Sequence, residues 1–495
     1  MLKAPKPGQF VYEYSREEAA DLVHNHPDQA IELILSYAPL INTLMKQVAE
    51  HSKQIEQLQQ QIGKNSSNSS KPPSSDGYSK PSPKSLRGKS GKNTGGQKGH
   101  KGNTLSKVAV PDEVILHDVS VCTCGASLAD AKIVKTESRQ VYDIPEPRIH
   151  VVEHQVVTKL CACGKLCCST FPSTVTAPTQ YGPRILSLGV YLNQYQFLPL
   201  ARTCQTVNDL FSCSVSQATV LKAVQEFSDK TMNIREAITT DLLDSHCIHS
   251  DETGVRVNGK LHWIHSASST TSTSYHVDKR RGKEAMTAAD ILPHFTGTVI
   301  HDGWKAYTHF DCTHGLCNVH HLRELLYITE FFKQSWASEL SELLLEIKQA
   351  VDQRKAHGFS SLEDSMKEQF LARYDTILAK GYADNPWVPE VRREKRGRKK
   401  KPKPVNLLDR LSIQKDSVLL FMKDFEVPFS NNLAERDIRM VKVQQKISGC
   451  FRTLEMAKDF CNIRGFLSTM GKRGISAWEA INSIFQESLD PVKST

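Results

Sequence analysis

At 495 residues the chain is too long for one core, and two to four domains are expected. With 39% hydrophobic and 24% charged residues it is neither fibrous nor disordered throughout. No signal peptide and no apolar run of transmembrane length stand out, and the net charge of +9 is concentrated, so a cytoplasmic, nucleoid-associated protein with a polyanionic partner and no membrane is expected. Thirteen cysteines, an odd number, fit buried or metal-bound thiols better than a disulfide framework.

Ser15 and Glu18 form a capping box for a short helix that ends before Pro27. Further on, Ile41, Val48, Ile55 and Ile62 recur every seven residues, and Leu44, His51 and Leu58 follow the first three of them by three. β-Branched residues at a and mainly Leu at d suit a parallel two-stranded coiled coil, so residues 1–63 are expected to join at least two copies of the chain. His51 on a short seam leaves an amphipathic helix packed on its own chain as the alternative. Residues 64–107, rich in Ser, Pro, Gly, Asn and Lys, are too polar to fold alone. They read as a basic linker that can also track phosphates.

Residues 108–175 carry two C-x-C-G pieces, Cys122/Cys124 and Cys161/Cys163, with RQVYDIPEPRIHVVEHQVVTK between them reading as two strands. Four thiolates at the ends of a small sheet suit a structural Zn²⁺. C-x-C is tighter than the usual spacing, and Cys167 or Cys168 could replace one ligand. Reduced, metal-free cysteines are the competing reading. Residues 176–244 are helical in pattern, and the two helices flanking Ser212–Ser214 could form a helix-turn-helix or serve as a spacer.

The segment 245–334 holds two short apolar runs that each end in an acid, Asp251 and Asp302, on the first and fourth of four expected strands. Aspartate is a poor strand former, so each either caps its turn or does chemistry. Farther on, Cys317 and His320 make a C-x₂-H pair that reads as helix-start packing. Residues 335–415 are expected as a helical insertion, with Leu340, Leu343, Leu344 and Ile347 on one face. It ends in the run Arg392 to Lys403, which holds nine cations and one acid, including Arg398, Lys399, Lys400 and Lys401. Residues 416–495 return to the core. There NNLAERDIRMVKVQQK reads as a capped helix with Glu435 in its first turns and Arg436, Arg439, Lys442 and Lys446 along one side.

Asp, Asp and Glu on strand, strand and helix is the layout of ribonuclease-H-like nucleotidyl transferases, whose carboxylates hold two Mg²⁺ roughly 3.5–4 Å apart. The segments KNSSNSSKPPSSDG, GGQKGHKG, RQVYDIPEPR, VTAPTQYGPR, SDETG and NNLAERDIRMVK together resemble the insertion sequence 66 family of transposases. The resemblance spreads from about Gln57 to the C-terminal region. It implies a multidomain α/β protein with a ribonuclease-H-like core, a leucine-zipper-like N-terminus and a zinc-finger module. It also implies an acidic triad at Asp251, Asp302 and Glu435 holding two Mg²⁺ (or Mn²⁺). The implied reaction is metal-dependent cleavage at the terminal inverted repeats of a transposon and strand transfer into target DNA, with or without accessory proteins. A nuclease that only hydrolyses, and a zinc-containing DNA-binding regulator without catalysis, are the alternatives.

Overall fold

The structure, a computed structural model, describes residues 15–69, 76, 104–387 and 401–486. The helices in chain order are α1 (Arg16–Asn25), α2 (Pro27–Ile62), α3 (Pro183–Val190), α4 (Leu200–Phe211), α5 (Gln217–Lys230), α6 (Met232–Leu243) and α7 (Lys283–Ala288). They continue with α8 (Asn318–Tyr327), α9 (Ser335–Ala356), α10 (Asp364–Asp384), α11 (Lys403–Ile413), α12 (Lys415–Val418) and α13 (Leu420–Lys423). The last are α14 (Asn432–Ser448), α15 (Leu454–Lys472) and α16 (Ala477–Gln486). The strands are β1 (Thr158–Leu160), β2 (Leu166–Cys168), β3 (Cys247–Val257), β4 (Lys260–Ser268), β5 (Thr273–Asp278), β6 (Thr298–His301) and β7 (Thr313–Leu316). Among the described residues no helix is long and apolar enough to cross a membrane.

The chain divides into two compact units. One comprises residues 1–83, 320–346 and 369–412. Its N-terminal helix starts on the expected capping box: Glu18 N–H donates to Ser15 Oγ, and Ser15 N–H donates to the Glu18 carboxylate. Trp336, Leu340, Leu343, Leu344, Tyr374, Leu408 and Leu411 are fully buried. Gly381 admits Leu408 and Trp336 against bare backbone, where a Cβ would meet Leu408 at 2.6 Å. The apolar seam of α2 is uncovered, with Ile41, Leu44, Val48, Ile55, Leu58 and Ile62 between 50% and 83% exposed.

The other unit comprises residues 84–319, 347–368 and 413–495 and is built on a five-stranded sheet ordered β5-β4-β3-β6-β7. β3, β4 and β5 form an antiparallel meander, while β6 and β7 run parallel to β3. The β3–β4 hairpin turns at Asn258–Gly259, whose φ angles of 48° and 72° are the left-handed values a tight Asn-Gly hairpin needs. Alternation along β3 sends its residues to two cores. Ile248 joins Val299, Phe227, Leu242 and Phe466 on one side, and Val255 and Val257 join Val441 and Phe460 on the other.

Three elements depart from expectation. No strand forms over residues 139–157, and only the short β1–β2 hairpin and one Val121–Ser127 bridge appear. Pro145 and Pro147 remove ladder donors there, and nearly every residue of the segment is exposed, so no core rewards pairing. The sequence pattern predicts one helix over residues 283–292, but α7 stops at Ala288, before Asp290 takes φ 60°. It also predicts one over residues 416–425, which breaks into α12 and α13 around Leu419.

Candidate active site

The central strand, its parallel neighbour and the first turn of α14 each deliver one carboxylate. Asp251 lies in the middle of β3, cross-strand from Ser266, and shares its face of the sheet with Val255 and Val257, which pack on Val441 of α14. Asp302 follows the last residue of β6 directly, and Glu435 sits in the first turn of α14. The buried Asn431 aligns that helix. Its Nδ2 donates to Ser250 O at 2.8 Å, its Oδ1 lies 2.9 Å from His249 Nδ1, and its N–H reaches Cys317 Sγ at 3.2 Å. Cys317 therefore packs at the start of α8, and its sulfur lies within 4.8 Å of a Glu435 carboxylate oxygen. Asp437, one turn into α14, anchors it to the sheet through Ser268 Oγ, Thr273 Oγ1 and the ammonium of Lys472 at 2.9 Å.

Among the described residues Asp251, Asp302 and Glu435 do not all lie within 4.8 Å of one another, but the other two act on Asp251. Burial pushes the Asp251 carboxyl up to about 8, and the charges of Glu252, Asp302 and Glu435 add to the rise. Asp251 Oδ1 accepts the N–H of Glu252, and Asp302 Oδ1 accepts the N–H of Trp304, each at 2.9 Å. Glu435 Oε1 is buried and has no hydrogen-bond partner among the described residues. Partly buried carboxylates whose charges raise Asp251, with one Glu435 oxygen unpartnered, fit a hard divalent cation such as Mg²⁺ or Mn²⁺.

A second set of residues lies around Glu252, and little in the sequence pointed to it. Glu252 points to the face opposite Asp251. There its side chain, 2% exposed, accepts from Arg281 at 2.7 Å and from Tyr307 Oη at 2.8 Å. Burial raises the Glu252 carboxyl despite the guanidinium beside it. Arg281 is stacked between Trp304 at 4.2 Å and Trp263 at 4.7 Å. Burial, with His314 nearby, pushes the His301 imidazole down to about 3, and burial lowers His314 as well.

The cations expected on α14 separate into two kinds. Arg436, Arg439 and Lys446 are exposed along one stripe. Lys442 is exposed too, but its ammonium donates to Gly254 O at 2.6 Å and so ties the helix to β3. Of the basic run, Arg398, Lys399 and Lys400 lie outside the described residues, as does most of the arm at 64–107. Lys401 is paired with Asp409 at 2.6 Å and lies over the Trp387 ring.

The cysteine pieces fold as two matching turns. In each, the first cysteine's carbonyl accepts a glycine N–H, from Gly125 at 2.8 Å and Gly164 at 2.9 Å. The amide of the second cysteine lowers the thiol of the first, Cys122 in one turn and Cys161 in the other. Among the described residues no three of Cys122, Cys124, Cys161 and Cys163 lie within 4.8 Å of one another, so the turns are not gathered into one four-thiol group.

Comparison with known proteins bears on the same region. Residues 178–459, which include all three carboxylates, match the family model described as Transposase IS66 family. Residues 16–106 match a family of unknown function. No curated protein matches the chain.

Proposed function

The chain belongs to the transposase IS66 family, and on that premise we propose that it cuts DNA at the ends of an insertion sequence and joins the freed ends to a target. What supports this reading is that Asp302 and Glu435 both stand near enough to the buried Asp251 for their negative charges to raise its carboxyl. The sheet order β5-β4-β3-β6-β7, with an antiparallel meander followed by two parallel strands, supports a ribonuclease-H-like core beneath them.

Two divalent ions held by these carboxylates would supply Lewis-acid stabilisation of the attacking and leaving oxygens. The chain's own part is placement. Asp251 stands on the central strand, paired with β4 and two residues past the end of the pairing with β6, while Asp302 directly follows β6. Glu435 is fixed by the Asn431 and Asp437 anchors, and the N-terminal end of α14 favours a carboxylate there. In the first displacement water attacks the phosphorus at a transposon end and the bond to the 3′ oxygen breaks, leaving a 3′-OH. In the second that hydroxyl attacks target phosphorus and expels a target 3′ oxygen. No protein nucleophile is needed in either step. Arg436, Arg439 and Lys446, on the stripe beside Glu435, would contact the flanking phosphates without reading sequence. A homo-oligomer formed through α2 completes the proposal, while a structural Zn²⁺ would need the two cysteine turns to come together.

Purified protein offered its own terminal repeats with Mg²⁺ tests this reading. Nicks leaving 3′-OH ends, followed by joined products, are expected. Hydrolysis without joining would favour a nuclease, and binding without cleavage would favour a regulator.

A further inference from the structure

His301 and His314 stand behind Asp302, and nothing above gives them a task. His301 is the last residue of β6 and is fully buried. His314 lies on the adjacent β7, opposite Val299, and the two rings meet edge to face at 5.3 Å. Their contacts form one unbranched chain. His314 Nε2 lies 3.2 Å from Phe310 O, His314 Nδ1 lies 3.2 Å from His301 Nε2, and His301 Nδ1 lies 3.1 Å from Gly303 N.

The ends of the chain fix its protons. A carbonyl can only accept, so His314 Nε2 carries hydrogen and donates to Phe310 O. A backbone amide can only donate, so His301 Nδ1 carries none and accepts from Gly303. The middle contact must then run from His301 Nε2–H to His314 Nδ1. One assignment, both rings neutral with hydrogen on Nε2, satisfies all three contacts.

This chain grips the turn that carries Asp302. Gly303 sits at φ 88°, a left-handed conformation that a glycine tolerates. Of the two amides after Asp302, that of Gly303 is held by His301 and that of Trp304 by Asp302 itself. The His301 ring also stacks on Tyr307 at 4.4 Å, and the Tyr307 hydroxyl holds Glu252, the neighbour of Asp251.

We propose that His301 and His314 are positioning residues, a one-way hydrogen-bond chain that locks the turn after β6 and aims Asp302 at the site shared with Asp251 and Glu435. The proposal rests on the reading of those carboxylates as metal-holding. Partners that orient a metal ligand in this way typically contribute about 10–100-fold to metal affinity or activity.

The test has two arms. In the unsubstituted protein with ¹⁵N-labelled histidine rings, long-range proton–nitrogen spectra should show His301 and His314 both neutral with hydrogen on Nε2. A proton on Nδ1 of either ring overturns the chain, whether or not any variant folds. In the second arm, Mn²⁺ is titrated into the protein and its variants. His301→Leu should weaken Mn²⁺ binding about tenfold or more and slow cleavage in parallel, with metal-free DNA affinity within about twofold. His301→Asn, whose amide oxygen takes the place of Nδ1, should recover most of the loss. A His301→Leu protein that binds Mn²⁺ and cleaves like the parent overturns the proposal. If the parent itself takes up no Mn²⁺, the metal-holding reading of the triad fails, and the ring spectra still decide for or against the chain.

Discussion

At Asp251 the fold places a carboxyl where its ionised form is disfavoured. A buried carboxyl raised to about 8 is destabilised when ionised, because burial and three neighbouring acids oppose its charge. A divalent cation relieves that repulsion, and so does removing the charge. Asp251→Asn should therefore raise the unfolding temperature of the metal-free protein by several degrees, at roughly 2–4 °C per kcal/mol for a unit of this size. It should also abolish the further rise that Mn²⁺ gives the parent. Thermal melts with and without Mn²⁺ measure both effects, and an Asn protein that melts lower and still responds to metal would contradict the account. An Asp closing an apolar run was visible in the sequence as an oddity. What the sequence could not say was which acid of the Asp251–Glu252 pair faces the site, because adjacent strand residues point to opposite faces. Only the packing of Val255 and Val257 on Val441 settles it, and that is a contact across nearly 190 residues. The work of His301, Glu252 and Arg281 was hidden for the same reason, since each acts through a partner distant in sequence.

Among the elements, α14 carries Glu435, the proposed third ligand, and depends on its start. Asn431→Ala would leave Ser250 O and the His249 ring without their partner inside the fold. A loss of about 2–3 kcal/mol is expected from the abandoned buried groups, read as a lower unfolding temperature, together with slower cleavage at unchanged DNA affinity. Loss of DNA affinity with normal cleavage on bound substrate would contradict this. The same helix shows the limit of pattern reading. Four cations at helical spacing looked equivalent, and all four are exposed, yet Lys442 alone among them reaches back to Gly254 O. Heptads, by contrast, were legible because α2 keeps its seam in solvent. Ile34 and Tyr37 also fall on it, one heptad before Ile41. Six uncovered aliphatic side chains on one helix face motivate the dimer prediction: Val48→Glu with Ile55→Glu should convert a dimer to a monomer in sedimentation equilibrium. A parent that is monomeric at every concentration would leave α2 without that role.

For the whole molecule, the net charge of +9 is distributed so that the exposed stripe of α14 and the run at 392–403 carry much of it. Each phosphate neutralised adds about −0.9 to the slope of log K against log [salt]. Replacing Arg436, Arg439 and Lys446 with Gln should flatten the slope by about 2–3 units and weaken specific and unrelated DNA alike. Lys442→Gln should change it little and should destabilise the fold instead. A substituted stripe that leaves the salt slope unchanged would remove α14 from the DNA contact. The central claim concerns metal at three carboxylates drawn from two strands and a helix. Its most direct measurement is the number of Mn²⁺ ions bound per chain, read by electron paramagnetic resonance, in the parent and in Asp251→Asn, Asp302→Asn and Glu435→Gln. Two spin-coupled ions are expected in the parent, with loss of the coupled pair in each variant and DNA binding retained. A coupled pair that survives any one of the three substitutions contradicts that residue's place in the site.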